Sequence, residues 1–208
     1  MVLDFARRAH TIAIVESRKV TINRKTRETD VSLTLDPDAP SEPAVRTGIS
    51  FLDHMLTSMA FHGRFSLSVE GRGDIDVDPH HLVEDTGLVL GQAFAAVFEK
   101  TGSVARFGHA VIPMDEALAE VTVDVCGRPT LCLHAAFPQG TAGTFDVSLL
   151  REFFTGLSSQ ARISLHIEIR RGENSHHMAE SAFKALGKAL KQAYSAEGTH
   201  MSSKGRIG

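Results

Sequence analysis

Two kinds of periodic pattern alternate along the 208-residue chain. Short stretches alternate apolar with polar residues, as strands with one buried face do, and longer stretches repeat apolar residues every three or four positions, as amphipathic helices do. Such a succession predicts an α+β fold in which layers of strands are backed by helices. Strands are expected at about 10–22, 29–35, 64–70, 109–114, 118–126, 130–136 and 162–170, and helices at about 49–61, 80–99, 146–158 and 175–194.

Residues that favour turns and helix ends separate these elements. Residues 36–44 and 138–144 are rich in Pro, Gly and Ser and are predicted to be loops. Asp78 and Pro79 supply an N-cap and a first-turn proline for the long helix that follows, and Asn174 is the matching cap of the last helix.

The same strand–turn–helix unit occurs twice. The strand pattern RFSLSVE at 64–70 returns as RISLHIE at 162–168, and each is followed by a turn and a histidine pair. The first pair, His80-His81, lies 96 residues before the second, His176-His177 (176 − 80 = 96), and a Leu-Gly follows each pair at the same distance. Repeated spacing of this kind indicates an internal duplication.

The correspondence extends backward along the chain. Three further positions align: His54 with Glu152, Thr57 with Thr155, and Arg64 with Arg162. We therefore predict that residues 1–100 form the first half and residues 101–208 the second, each with strands backed by two helices.

Composition narrows the class of protein. The formal charge of −3 argues against a nucleic-acid partner, and the sequence contains no apolar run of membrane-spanning length. The start lacks the apolar stretch of a secretory signal, and Cys126 and Cys132 lie in an alternating apolar stretch that predicts reduced core thiols in a strand. A cytoplasmic protein is expected.

The two histidine pairs are suited to binding metal. On a helix, His80 and Glu84 lie one turn apart on one face and can chelate a single ion, whereas His81 is turned about 100° away. The same holds for His176 with Glu180, and for His177. Since neither second histidine can join its own neighbour's chelate, we expect each to serve the ion of the other helix.

A pseudo-twofold arrangement of two ions satisfies these directions. One ion is expected to take His80, Glu84, His177 and Glu152, and the other His176, Glu180, His81 and His54. A set of imidazoles and carboxylates without thiolate fits Mn, Fe, Co, Ni or Zn and does not choose among them. Surface or packing roles are expected for His10, His109, His134, His166 and His200.

Eight ordered motifs make the chain resemble the imidazoleglycerol-phosphate dehydratase family. They are RETD at 27–30, TGISFLDHM at 47–55, FHGRF at 61–65, DPHHLVEDTGLVLGQAF at 78–94, RFGHA at 106–110, PMDEALAEVTVDVCGRP at 113–129, ENSHHMAESAFKAL at 173–186 and SSKG at 202–205.

The resemblance implies a reaction, a cofactor and an assembly. It implies dehydration of D-erythro-imidazole-glycerol phosphate to imidazole-acetol phosphate in histidine biosynthesis, with two Mn(2+) ions per active site that bind the substrate as imidazolate. It also implies a duplicated, ribosomal-protein-S5-domain-2-like fold and a homo-oligomer of 24 subunits that share active sites.

The family's functional positions carry over residue by residue. Metal ligands fall on His54, His80, His81, Glu84, His176, His177, Glu180 and position 152, where Glu152 replaces the histidine of some members. Catalytic roles fall on Glu28, as the acid/base, and on His54, His81 and His177. Substrate contacts fall on Glu28, His54, His62, His80, Glu84, His176 and Glu180, and phosphate contacts on Arg106, Arg128 and Lys184 and, in the C-terminal tail, Ser202, Ser203 and Lys204.

Two alternative functions stay open. A metal-dependent hydrolase would use an open metal position to make hydroxide. A non-catalytic metal-binding shell protein would need the histidines but not the set of Glu28, Arg106 and Arg128. Turnover of the imidazole substrate separates the three.

Overall fold

The computed structural model describes residues 17–197. The helices and strands are β1 (Val20–Lys25), β2 (Thr29–Asp36), β3 (Ala44–Arg46), α1 (Ser50–Gly63), β4 (Ser66–Gly73), α2 (His80–Thr101), β5 (Phe107–Met114), β6 (Ala117–Asp124), β7 (Thr130–His134), β8 (Thr141–Ala142), β9 (Phe145–Asp146), α3 (Leu149–Ala161), β10 (Ser164–Arg171) and α4 (Ser175–Ala193). None of these helices combines the length and the apolarity that a membrane span requires.

Two four-stranded sheets repeat one topology. The first has the order β1-β2-β4-β3 and the second β5-β6-β10-β7. In each, an antiparallel hairpin is extended by an antiparallel third strand, and the last strand runs parallel to its neighbour. The predicted α+β class is confirmed, and the boundary between the halves at residue 100 stays a prediction.

The helices form two layers between the sheets. Helices α1 and α2 contact the first sheet and α3 and α4 the second, while α2 packs against α3 and α1 against α4. The alternately buried residues of β2 and β6 belong to one continuous core with the apolar faces of the helices. The layer order is therefore sheet, helices, helices, sheet, and each helix pair joins the two halves.

The repeated Leu-Gly has a packing role at both helix pairs. A Cβ added to Gly91 of α2 would lie 2.6 Å from the carbonyl oxygen of Leu157 in α3. A Cβ added to Gly187 of α4 would lie 2.1 Å from the carbonyl oxygen of Met59 in α1. Both glycines thus allow close approach of helices from opposite halves, and α1 and α3 also end alike, on Arg64 and Arg162 in the left-handed conformation.

Replacing Gly187 with alanine is expected to destabilise the fold by about 1–3 kcal/mol, because the methyl group has no room against the α1 backbone. Gly140, whose added Cβ would meet nothing within 4 Å, is the matched control, and Gly140→Ala should change stability by less than about 0.5 kcal/mol. Denaturant unfolding of both variants is the measurement. Equal midpoints for the two would show that the helix pair tolerates the added atom.

Several expected boundaries were wrong. The three-residue β3 begins at the end of the predicted loop 36–44, and it is too short to show an alternating pattern. Strand β8 lies inside the predicted loop 138–144 and pairs with β9 directly after it. Helix α3 begins at Leu149 rather than 146, because the apolar residues before it belong to β9 and the following turn. Residues 10–16 of the first predicted strand lie outside the described residues.

The helix caps and the cysteines differ in detail from expectation. Pro79 rather than Asp78 directly precedes α2, although the Asp78 carboxylate accepts the His80 backbone N–H at 2.8 Å. Asn174 is the cap of α4, as predicted. Both cysteines are free, but Cys126 is buried in the turn after β6 and Cys132 is half-buried in β7.

Candidate metal centre and active site

Helices α1 and α4 bring three potential metal ligands together. Nε2 of His54 lies 3.5 Å and Nε2 of His176 3.3 Å from Oε2 of Glu180. Within residues 17–197, these three form the one group of histidine and carboxylate side chains whose ligand atoms all lie within 4.8 Å of one another. We call it the α1–α4 cluster, and it includes one residue from the first half and two from the second.

The surroundings of the α1–α4 cluster keep its carboxylate charged. Burial alone would raise the pKa of Glu180, but the Lys184 ammonium, 2.8 Å away, and His54 outweigh it and lower the pKa below its ordinary value. The ring of Phe51 packs edge-on against His176, with ring centroids 5.3 Å apart. The α1–α4 cluster therefore offers a metal ion two imidazole nitrogens and a charged carboxylate, one oxygen of which is paired with Lys184.

The α2–α3 pair carries the equivalent residues. His80 and Glu84 lie one turn apart on α2, with Nε2 and Oε2 3.9 Å apart. Glu152, on the first turn of α3, lines a cavity of about 270 Å³ together with His80. We call these three residues the α2–α3 group, in which Glu152 aligns with His54 by the duplication, although within the described residues their ligand atoms do not all lie within 4.8 Å of one another.

The second histidine of each pair is directed away from both groups. His81 lies with Nδ1 3.1 Å from Asp74 and 3.9 Å from Glu28, and His177 lies with Nδ1 2.8 Å from Glu116. The predicted four-ligand sets, with His81 at one ion and His177 at the other, therefore do not assemble within the described part of a single chain. Both rings turn away from the chelate on their own helix, as helix geometry predicts. Each ring contacts a carboxylate, however, and not the ligands of the other helix pair.

These histidine–carboxylate contacts shift the pKa values of the groups involved. The hydrogen bond to Asp74 raises the pKa of His81, and that to Glu116 raises the pKa of His177. Glu116 accepts from His177 and from the backbone N–H groups of Glu173 and Asn174, which together lower its pKa to about 2.

Glu28 is exposed in the tight turn between β1 and β2. The Thr26 hydroxyl accepts the backbone N–H of Glu28 at 3.1 Å. The next residue, Thr29, donates its hydroxyl to the buried carboxylate of Asp85 on α2, which also pairs with Arg24 at 2.8 Å. The turn that carries Glu28 is thus anchored to the same helix as His81.

A second feature beside the α1–α4 cluster is an open cleft of about 940 Å³ along α1. Its lining includes His54, His62, Arg64 and Lys188. Burial and the positive charges of Lys184 and Lys188 lower the pKa of His62. The cleft therefore offers an imidazole and cationic groups next to the potential metal ligands.

The predicted phosphate contacts are divided between distant places. Lys184 is one turn from Glu180, but Arg106 is at the other end of α4, where its backbone N–H donates to the carbonyl of Ala193. Ala193 lies thirteen positions after Glu180 in the same helix, which is about 20 Å along its axis. Arg106 pairs there with Asp124 at 2.7 Å, and the exposed Arg128 follows the same strand, β6. Ser202, Ser203 and Lys204 lie outside the described residues.

Sequence reasoning missed the carboxylates Asp74, Asp85 and Glu116. The duplication gave one usable signal, because Glu116 directly precedes β6 as Glu28 directly precedes β2. Asp74 and Asp85 carried none, since acidic residues after a strand or on a helix are common on solvated surfaces.

These groups define the class of protein. Two symmetry-related helix pairs present imidazoles and carboxylates at the interface between the halves, and such a ligand set is typical of transition-metal sites. The chain is of the class of duplicated α+β proteins with a candidate metal centre.

A family profile described as imidazoleglycerol-phosphate dehydratase matches residues 47–190. Relatives with that name include the proteins of Syntrophus aciditrophicus, 51% identical over 180 residues, and Gluconobacter oxydans, 47% identical over 180 residues; each match covers 86% of this chain and 91% of the relative. The chain belongs to the imidazoleglycerol-phosphate dehydratase family, and it is a dehydratase, a hydro-lyase, that acts in histidine biosynthesis.

Solved structures agree with this assignment. Imidazoleglycerol-phosphate dehydratase from Staphylococcus aureus subsp. aureus N315 is similar with a TM-score of 0.78 and 38% identity, over 86% of this chain and 99% of that one. IGPD from Pyrococcus furiosus in complex with (S)-C348 has a TM-score of 0.80 and 37% identity, over 89% and 100%. The duplicated fold is thus shared along nearly the whole length of both.

Proposed function

We propose that the chain converts D-erythro-imidazole-glycerol phosphate to imidazole-acetol phosphate at a site that holds two Mn(2+) ions. Family membership supports the reaction. The convergence of His54, His176 and Glu180 from both halves carries the metal proposal. Two imidazoles and a buried carboxylate without thiolate suit Mn(2+), the ion that the sequence resemblance implies.

The second ion would be held by the α2–α3 group. His80 and Glu84 form an i,i+4 chelate, and Glu152 adds a carboxylate where the equivalent position of the other cluster has an imidazole. Because a carboxylate brings a negative charge and an oxygen donor, we expect the two ions to be bound with different affinities.

Several of the proposed site residues lie far apart within one chain, which supports a site shared between subunits. His81 and His177 are hydrogen-bonded to carboxylates that belong to neither group of ligands, and Arg106 lies about 20 Å along α4 from Glu180. We propose that neighbouring subunits of a homo-oligomer, of 24 copies as the resemblance implies, supply the missing histidine and the two arginines. The C-terminal Ser202, Ser203 and Lys204 would complete the phosphate site, and a cytoplasmic location stays a prediction.

The chain's own residues divide the chemical work. The ions, which the α1–α4 cluster and the α2–α3 group would hold, would supply Lewis acidity at the substrate's imidazole ring and so ease proton loss from the adjacent carbon. Glu28, exposed on an anchored turn, would accept that proton and return one to the departing hydroxyl. Arg106 and Arg128 would hold the phosphate through guanidinium forks and Lys184 through its ammonium. His62, whose pKa is lowered by burial and by the charges of Lys184 and Lys188, would form a hydrogen bond with the substrate.

Reconstitution tests the proposal. Protein stripped of metal should form no imidazole-acetol phosphate, and addition of Mn(2+) should restore turnover and two bound ions per chain. Sedimentation of the stripped protein should show a loosened assembly, because the ions are proposed to join subunits. Hydrolysis of simple phosphate esters by the reloaded protein would favour the metal-dependent hydrolase, and metal uptake without any turnover the shell protein.

A further inference from the structure

The second histidine of each pair is held by a carboxylate in the same way on both helices. In each case the carboxylate meets Nδ1 of the ring: Asp74 at 3.1 Å from His81 and Glu116 at 2.8 Å from His177. A carboxylate on Nδ1 keeps the proton on that nitrogen, so Nε2 is the nitrogen left to bind a metal. Each contact therefore favours one tautomer and one orientation of its ring, and Nε2 of His177 lies 3.7 Å from the exposed carboxylate of Asp115, beyond hydrogen-bond distance.

The two carboxylates do not occupy equivalent positions of the duplication. Glu116 lies in the β5–β6 turn, where the first half has Glu28, whereas Asp74 follows β4, where the second half has Gly172 after β10. A duplicated contact would be explained by common origin alone. Here the same ring geometry is reached from two different elements, which is expected where the geometry itself is required.

Glu116 is also immobilised. One carboxylate oxygen accepts the backbone N–H groups of Glu173, at 3.1 Å, and Asn174, at 2.8 Å, while the other accepts from His177. The β5–β6 turn is thereby tied to the start of α4. A carboxylate with both oxygens engaged is suited to holding a ring in place and poorly suited to moving a proton.

We propose that Glu116 and Asp74 are positioning residues that orient His177 and His81 for metal binding. The proposal rests on the proposed role of those histidines as ligands. It also gives the two equivalent glutamates different tasks. In the first half Asp74, and not Glu28, is hydrogen-bonded to the His81 ring. Glu28 lies 3.9 Å from that ring and is exposed, so it is available for proton transfer.

The test is the Mn(2+) affinity of stripped protein carrying Glu116→Gln or Asp74→Asn. Loss of an outer carboxylate partner typically weakens metal binding 10- to 100-fold, and we expect a loss of that size in each variant. Glu120→Gln is the matched control, because Glu120 lies on the same β5–β6 hairpin and contacts His109, which is not a proposed ligand, at 2.7 Å. It should bind Mn(2+) as the wild type does.

Two further measurements separate positioning from general stability. The melting temperature of the metal-free variants should match that of the wild type. In a His177→Ala background, Glu116→Gln should cost no further affinity, because the carboxylate acts through that ring. If Glu116→Gln itself melts early, Asp74→Asn, whose native carboxylate hydrogen-bonds the His81 ring, decides the question.

The outcomes are distinguishable. Wild-type affinity in Glu116→Gln and Asp74→Asn, with normal binding by the parent protein, would overturn the positioning role and leave the proposed function intact. Failure of the parent protein to bind Mn(2+) would overturn both. Further loss in the His177→Ala background would show that Glu116 acts on the metal site by another route.

Discussion

Replacing Glu28 with glutamine is expected to lower kcat by on the order of 10²–10⁴, with little change in KM. General acid–base assistance typically contributes this much to the rate. Glutamine keeps the shape of the side chain and, because the turn is held by Thr26 and by Thr29 on Asp85, the backbone should keep its position. Steady-state kinetics of Mn(2+)-loaded protein is the measurement.

Arg128→Ala serves as the contrasting variant. Its proposed partner, the phosphate, is chemically unchanged between substrate and transition state, so the loss should appear in KM and not in kcat. A charge-assisted contact is worth roughly 1.5–3 kcal/mol, or about 10- to 150-fold in affinity. Metal content and particle size are verified first in both variants. Near wild-type kcat for Glu28→Gln would transfer the acid/base role to another group.

The second large effect is expected at the buried carboxylate of the α1–α4 cluster. Glu180→Gln should weaken the binding of one ion by more than the 10- to 100-fold that an outer partner contributes, because Glu180 is itself a proposed ligand. The other ion should remain, since His80 and Glu84 lie on a different helix pair. Activity should fall accordingly, and metal analysis gives the number of ions retained.

Glu84→Gln is the reciprocal variant, and it should spare the α1–α4 ion. Glu99→Gln, an exposed change near the end of α2, is the control that should keep both ions. Loss of both ions from either Glu180→Gln or Glu84→Gln would mean that the two sites bind cooperatively, and the picture of separate chelates would be wrong.

The spacing of residues along the chain predicted the α1–α4 cluster better than it predicted the loops. Glu180 lies one turn after His176, so helix geometry alone places their ligand atoms together. The duplication then placed His54 beside them, although it lies more than a hundred residues away in the chain. Both predictions depend on regular, repeated structure, in which a given spacing of residues corresponds to one arrangement of their side chains.

The partners of His81 and His177 could not be predicted in this way. Each ring meets a carboxylate from a strand end or a hairpin turn, and the position of that turn depends on how a sheet twists and packs on its helix. The distance of about 20 Å between Glu180 and Arg106 could not be predicted either. The resemblance implies which residues act in one site, but it does not say whether they come from one subunit or from several. Glu28 likewise had no local pattern, and Asp85, which anchors its turn, is identified by its buried contacts.

Each helix pair combines one helix from each half, and this arrangement suggests how such a chain could arise. A single half-length copy could pair its first helix only with the second helix of another copy, and two identical copies would then form a twofold dimer with two identical ion sites. Joining the copies makes that encounter intramolecular and independent of protein concentration. It also frees the two sites to differ, as His54 at one site and Glu152 at the equivalent position of the other now do.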